Sequence, residues 1–344
     1  MFRGARRGLI PALALFVVLA LPFSTGAISH LRGSWTAVPG LPDDATITTA
    51  VGGNDGLLYV FGTCESECIQ TNGVVHAGAN VTYVYDPQFD LWMSGRGAPR
   101  ACGRAQAAAA GSDGKIRLAG CWTDIVTDSG FRIAVYDPAT STWRLRTATG
   151  PYVNPIVGIV DPKGHTMWYS ETLGRDQGAV FESGHRVVEQ VNGIWRSRAK
   201  EPSTGPSDGA GLGTDGKVYV AGGDRNCFPG FETCAVPRVA AWSRASNSWS
   251  RPTTMPVPRM QVAVTADVLG RIFTIGGTST TGATTFDTVQ VYSPTTQAWF
   301  SVRRLPAPRF GAAATYTPDG RVWVMGGYDA SGNPLSDGYV FSDR

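Results

Sequence analysis

The chain has 344 residues, of which 17% are charged, with 43 glycines, 22 prolines and a formal net charge of +3. Charge is sparse against the roughly 25% of ordinary soluble chains, and turn-forming residues are abundant, which fits many short strands better than long helices. Basic residues are scattered without runs, so a nucleic-acid partner is not expected.

In chain order, the first segment stands apart. Arg3, Arg6 and Arg7 precede an almost wholly apolar run over residues 9–23, followed by Ser24, Thr25, Gly26 and Ala27. This is the pattern of a secretory signal peptide, with cleavage expected after Ala27. The apolar run is broken by Pro11 and Pro22 and is shorter than the about 20 residues a spanning helix needs. Residues 1–27 are therefore assigned to a signal and 28–344 to one folded domain, secreted or otherwise extracytoplasmic, with no membrane span after cleavage. Export makes the six cysteines readable as disulfides. Nearness in sequence suggests the pairs Cys64–Cys68, Cys102–Cys121 and Cys227–Cys234, although six cysteines admit many connectivities.

From Trp35 onward the chain repeats. Trp35, Trp92, Trp143, Trp195, Trp249 and Trp299 recur at spacings of 57, 51, 52, 54 and 50. In the same phase a turn glycine precedes an apolar strand at Gly56, Gly114, Gly164, Gly216, Gly270 and Gly320. Tyr-Asp-Pro or Tyr-Ser-Pro precedes Trp92, Trp143 and Trp299 by seven or eight residues. Each unit is expected to hold four strands: a small apolar strand a (residues 105–110 and 311–316), strand b after the glycine turn (217–221), strand c (133–136), and strand d at the tryptophan. The third unit, around His165 to Trp195, is the most divergent.

From Gly33 to the C-terminus these motifs resemble kelch repeats, with double glycines after strand b at 222–223, 276–277 and 326–327. The resemblance implies an all-β, six-bladed β-propeller of four-stranded antiparallel blades. The chain starts with a d-like strand at Trp35 and finishes with a c-like segment at 337–341, so the last blade is expected to be closed by the N-terminal strand. That arrangement removes an exposed sheet edge. Each tryptophan is expected to pack between blades, and the glycines to let neighbouring backbone approach.

A binding site is expected on the face carrying the b–c and d–a connections, because the long b–c loops gather there. Arg100, Arg259 and Arg309 precede strand a, and Arg104 lies just inside it. Converging on the channel mouth, their guanidinium forks would suit carboxylate, sulfate or phosphate; the structural alternative is hydrogen bonding to neighbouring loop carbonyls. Tyr152, Tyr328 and Glu171 join them as candidate binding residues, with Glu182, Asp176, Asp208 and Glu232 as further acids. His165, placed in strand b, and His185, leading into strand c, allow a pair in the third blade. The four histidines lack ligand spacing, so no metal and no cofactor are expected. Asn80-Val81-Thr82 is a glycosylation sequon.

The reading that follows is a monomeric extracytoplasmic propeller that binds an anionic glycan or a protein through the loop face, since no catalytic constellation is evident. The alternative rests on similarity to secreted sialic-acid mutarotases, six-bladed kelch propellers, and implies a sugar mutarotase or epimerase at the channel mouth, with Glu171 or Glu182 in acid/base roles. Copper radical enzymes of the galactose-oxidase type have seven blades and a histidine and tyrosine set missing here. Kelch adaptors of ubiquitin ligases work in the cytosol.

Overall fold

The computed structural model describes residues 32–102, 107–121, 131–148, 153–176, 179–191, 194–202, 208–226, 233–279 and 284–343, with the side chains of 131, 147–148, 172–183, 191, 226 and 233 left aside. Within it the chain is an all-β, six-bladed propeller. Blade 1 is Ala45–Gly52, Leu58–Cys64, Asn80–Asp86 and Leu91–Ser94; blade 2 is Ala107–Ala110, Ile116–Ala119, Phe131–Asp137 and Thr142–Ala148. Blade 3 is Val153–Val160, Thr166–Asp176, Ala179–Val191 and Ile194–Lys200; blade 4 is Gly209–Leu212, Val218–Ala221, Thr233–Ser243 and Ser248–Arg259. Blade 5 is Ala263–Ala266, Ile272–Ile275, Val289–Ser293 and Ala298–Ser301. Blade 6 takes Ala313–Tyr316, Val322–Met325 and Gly338–Ser342 from the end of the chain and Ser34–Val38 from its start.

The closing sheet is in register from Ser34 opposite Ser342 to Val38 opposite Gly338, with Trp35 opposite Phe341. Their rings touch at 5.2 Å between centroids. One apolar cluster fills each junction between neighbouring blades. Leu58, Val60 and Tyr83 of blade 1 pack on Trp323 and Met325 of blade 6; Phe273 and Val291 of blade 5 pack on Val324 and Phe341 of blade 6. The core is thus a ring of six inter-blade layers.

The repeated tryptophans fasten these layers as well as fill them. Trp92, Trp143 and Trp249 donate their indole N–H to Pro39 O, Arg96 O and Ala199 O of the preceding blade, at 3.0, 2.7 and 2.8 Å. Trp299 donates to Thr253 Oγ1 at 3.0 Å. A buried or half-buried indole needs such a partner, and in these four it lies on or just past the neighbouring outer strand.

Strand a is small because blades crowd at the axis. A Cβ on Gly158 would stand 2.3 Å from Ala108 O of the preceding blade. The double glycines serve a turn instead: Gly276 holds φ +63, and a Cβ there would meet Arg309 O at 2.3 Å.

Several details differ from the sequence reading. The b–c connections of blades 1, 3 and 4 are hairpins in part, because their residues pair with each other. Glu67–Gln70 pairs with Gly73–His76, strands b and c of blade 3 continue to Asp176 opposite Ala179, and Asp224–Asn226 pairs with Thr233–Ala235. His165 is not in strand b. It lies in the turn before it, with Nδ1 2.9 Å from Asp161 Oδ2, while His185 sits opposite Glu171 towards the other end of the sheet. The histidine pair does not form.

Candidate functional site on the loop face

Two of the arginines before strand a, Arg259 and Arg309, sit far more deeply than a ligand-facing set. Arg259 is 0% and Arg309 1% exposed. Arg259 Nη1 donates to Gly276 O at 2.9 Å and Thr288 O at 2.6 Å, and Nη2 to Thr288 Oγ1 at 2.5 Å. Arg309 repeats this in blade 6, reaching Gly326 O, Asp337 O and Asp337 Oδ1 at 3.1, 3.2 and 3.1 Å. Each guanidinium also lies over a ring, Phe286 at 4.8 Å and Tyr339 at 4.5 Å. Burial pulls the Arg259 pKa down to about 10, which leaves it charged at neutral pH. The geometry is that of the structural alternative: a planar fork joining the strand-b glycine to the start of strand c.

Blade 4 achieves the same link from another position. Arg238, within strand c just before its ladder with strand b begins at Val239, donates through Nη2 to Gly222 O at 3.3 Å, and its Nε lies 3.6 Å from Glu201 Oε1. Sequence reasoning passed over Arg238; aligning the residue just before the strand b–c ladder with Thr288 and Asp337 would have found it.

Around Arg238 lies a buried polar cluster at the junction of blades 3 and 4. The Tyr169 hydroxyl donates to Glu201 Oε2 at 2.6 Å, and the Tyr169 ring stacks on His185 at 5.9 Å. Burial first, then the charges of Arg238 and Lys200, hold the His185 pKa down to about 4. The imidazole is therefore neutral in ordinary conditions. Glu171 is half-buried and accepts from Asn154 Nδ2 at 3.3 Å.

Asp208 stands where strand a of blade 4 begins. Its Oδ2 accepts from Gly223 N at 2.8 Å and from Val262 N of blade 5 at 3.2 Å. Burial outweighs those bonds and pushes its pKa up to about 7, with Asp224 adding to the rise.

Of the remaining candidates, Arg100 is exposed in the short 3-10 turn Arg100–Cys102. Tyr328 is half-exposed and stacks on Phe310 at 5.5 Å. Asn80, half-buried, donates its amide to Ala98 O and Pro99 O at 3.3 and 2.7 Å. Arg104, Tyr152 and Glu232 lie outside the described residues, as do the side chains of Asp176 and Glu182. Disulfides join Cys64 to Cys68 and Cys102 to Cys121. Cys234 is also disulfide-bonded, and Cys227 lies outside the described residues. Among the described residues no helix is long and apolar enough to cross a membrane.

The loop face itself is therefore built from hairpins rather than converging arginines. In blade 1 the Cys64–Cys68 disulfide anchors the Glu67–Gln70 hairpin strand, whose Ile69 faces Val74 across the ladder. These two side chains are 63% and 60% exposed.

The fold and its kelch-like repeats define the chain as a six-bladed β-propeller. It is similar to the Kelch-like protein terF of Aspergillus terreus, with 26% identity over 274 residues, covering 77% of this chain and 56% of that protein. The chain thus spans little more than half the length of that relative. No protein-family profile matches it.

Proposed function

We propose that this propeller is an extracytoplasmic binding module, exported by residues 1–27, that takes a protein partner on its loop face. The observation that carries the reading is the Ile69–Val74 pair: two large apolar side chains held side by side in water by a disulfide-anchored hairpin. Exposed apolar area on a rigid loop is where protein partners dock. The buried state of Arg259 and Arg309 moves the weight from an anionic ligand at the channel mouth to these hairpins. The test is proximity cross-linking in the extracytoplasmic fraction, comparing the wild type with Ile69→Ser/Val74→Ser. A partner captured by the wild type and lost with the variant supports the proposal; a set of captured proteins identical for both sinks it.

Asp208 supports a second reading, a sugar mutarotase or epimerase. A carboxyl with a pKa near 7 at the entry of an innermost strand has the proton affinity of a general acid/base at neutral pH. Its check is anomeric exchange of sialic acid followed by NMR, with Asp208→Asn abolishing any acceleration.

A further inference from the structure

The scattered bases of the sequence collect on the outer rim. From each tryptophan outward, strand d carries no acid: 91–97 reads LWMSGRG, 142–148 TWRLRTA, 194–200 IWRSRAK and 298–304 AWFSVRR. Arg96, Arg144, Arg146, Arg196, Arg303 and Arg304 are all exposed there. Acids lie off strand d: one stands in each a–b turn, and others stand at the end of strand c or in the c–d turn (Asp86, Asp90, Asp137) and before strand c (Asp287, Asp337). Asp55 accepts from Leu57 N, Asp113 from Arg117, and Asp267 from Arg271. The outer strands themselves are therefore basic although the net charge of the chain is only +3.

The rim also has concavities. One cleft of about 400 Å³ separates the outer edges of blades 1 and 2 and is lined by Arg96, Asn72, Thr142 and Trp143. A larger one of about 570 Å³ runs beside blade 5, lined by Arg32 ahead of the closing strand of blade 6, by Gln290, Ser301, Arg303 and Arg304 of blade 5, and by Val257 and Arg259 at the end of the blade 4 outer strand. That volume falls in the range of small-molecule sites. No acid pairs with Arg32 or Arg303 among the described residues, and Arg304 meets only Asp287, at 2.9 Å, with its own side chain 69% exposed. Such an exposed pair yields readily to a competing anion.

We propose that this cleft beside blade 5 binds an anionic sugar unit, a uronate or sulfate ester within a longer polysaccharide. Guanidinium forks hold the anionic group, and the Ser301 hydroxyl and Gln290 amide meet neighbouring sugar hydroxyls. The exposed arginines of adjoining outer strands carry the polymer onward. A single-stranded nucleic acid would want exposed aromatic faces for stacking, and none lines this cleft. The cleft shares Arg259 and Thr288 with the fork described above but not the Ile69–Val74 hairpin, so it stands whether or not a protein docks on that hairpin.

The test is calorimetric titration of the purified chain, at physiological salt, with a heparin-derived octasaccharide and with octagalacturonate. Arms with octaglutamate and with single-stranded DNA of matching charge run beside them. Binding of the sulfated or the uronate sugar is expected, and the arm that binds names the anion. Arg303→Ala/Arg304→Ala should weaken it at least about tenfold, the effect of losing two charge-assisted contacts, with an unchanged melting temperature. Arg144→Ala/Arg146→Ala, on the rim but away from the cleft, should change it far less. No binding of either saccharide overturns the proposal. So does an equal loss in both variants, or peptide or DNA binding as tight as the sugar.

Discussion

The indole N–H of Trp35 donates to the carbonyl of Arg303 at 2.8 Å, tying the outer strand of blade 6 to that of blade 5. The same indole ring rests on Phe341 within its own sheet. One residue near the start of the described chain thus joins the closing sheet internally and fastens it to its neighbour.

Replacing Trp35 by alanine removes the ring contact and the inter-blade hydrogen bond together. The expected cost is about 3–5 kcal/mol, the usual range for a buried tryptophan, read as a lowered midpoint in chemical denaturation. Deleting residues 28–40 should cost more, because it opens the edge of Gly338–Ser342. A truncated chain melting like the full one would refute the closing role.

Arg309→Lys keeps the charge but loses the planar fork that reaches Gly326 O and Asp337 together. A loss of about 1–3 kcal/mol is expected from the unsatisfied carbonyls. Arg259→Lys should behave alike in blade 5. Stability unchanged in both would mean that the forks hold nothing.

The two described disulfides should differ in weight. Cys64–Cys68 closes a separation of 4 and Cys102–Cys121 one of 19. Chain-entropy arguments give about 2 and about 3 kcal/mol respectively. Cys64→Ala/Cys68→Ala should chiefly raise hydrogen exchange at 67–76, whereas Cys102→Ala/Cys121→Ala should lower the global midpoint further. The reverse ranking would count against this account.

Acid should act through His185 in a defined direction. Its folded pKa, about 4, lies below its ordinary 6.5, so the native state resists the proton. The stability it allows is complete above pH 6.5 and drains away as pH falls towards 4. Asp208, raised to about 7 from 3.8, runs oppositely: across that interval the native state holds the proton, so stability falls as pH rises. His185→Asn should flatten the loss on the acid side, and Asp208→Asn the loss on the neutral side. Stability-against-pH curves of the variants superimposing on the wild type would exclude both.

The blade count, the strand order and the N-terminal closure were legible because they rest on residues that repeat: tryptophan at strand d, glycine before strand b, and the double glycine after it. Packing between equivalent units forces such residues to recur in phase. The site was less legible, because its chemistry depends on where a side chain ends. Arg259 and Arg309 occupy the expected positions, yet the carbonyls of Gly276 and Gly326 lie close enough to absorb them. Arg238 does the same work from strand c, where no motif marks it. The rim arginines looked scattered because neighbours on the outer edge are about one whole repeat apart in the chain.

Because Ser34–Val38 pairs with Gly338–Ser342, the strand that leaves the ribosome first among the blades is the last to find its partner. Its apolar face must wait through synthesis of every other sheet. Final assembly therefore belongs to the finished chain, because no shorter piece holds both strands of the closing seam.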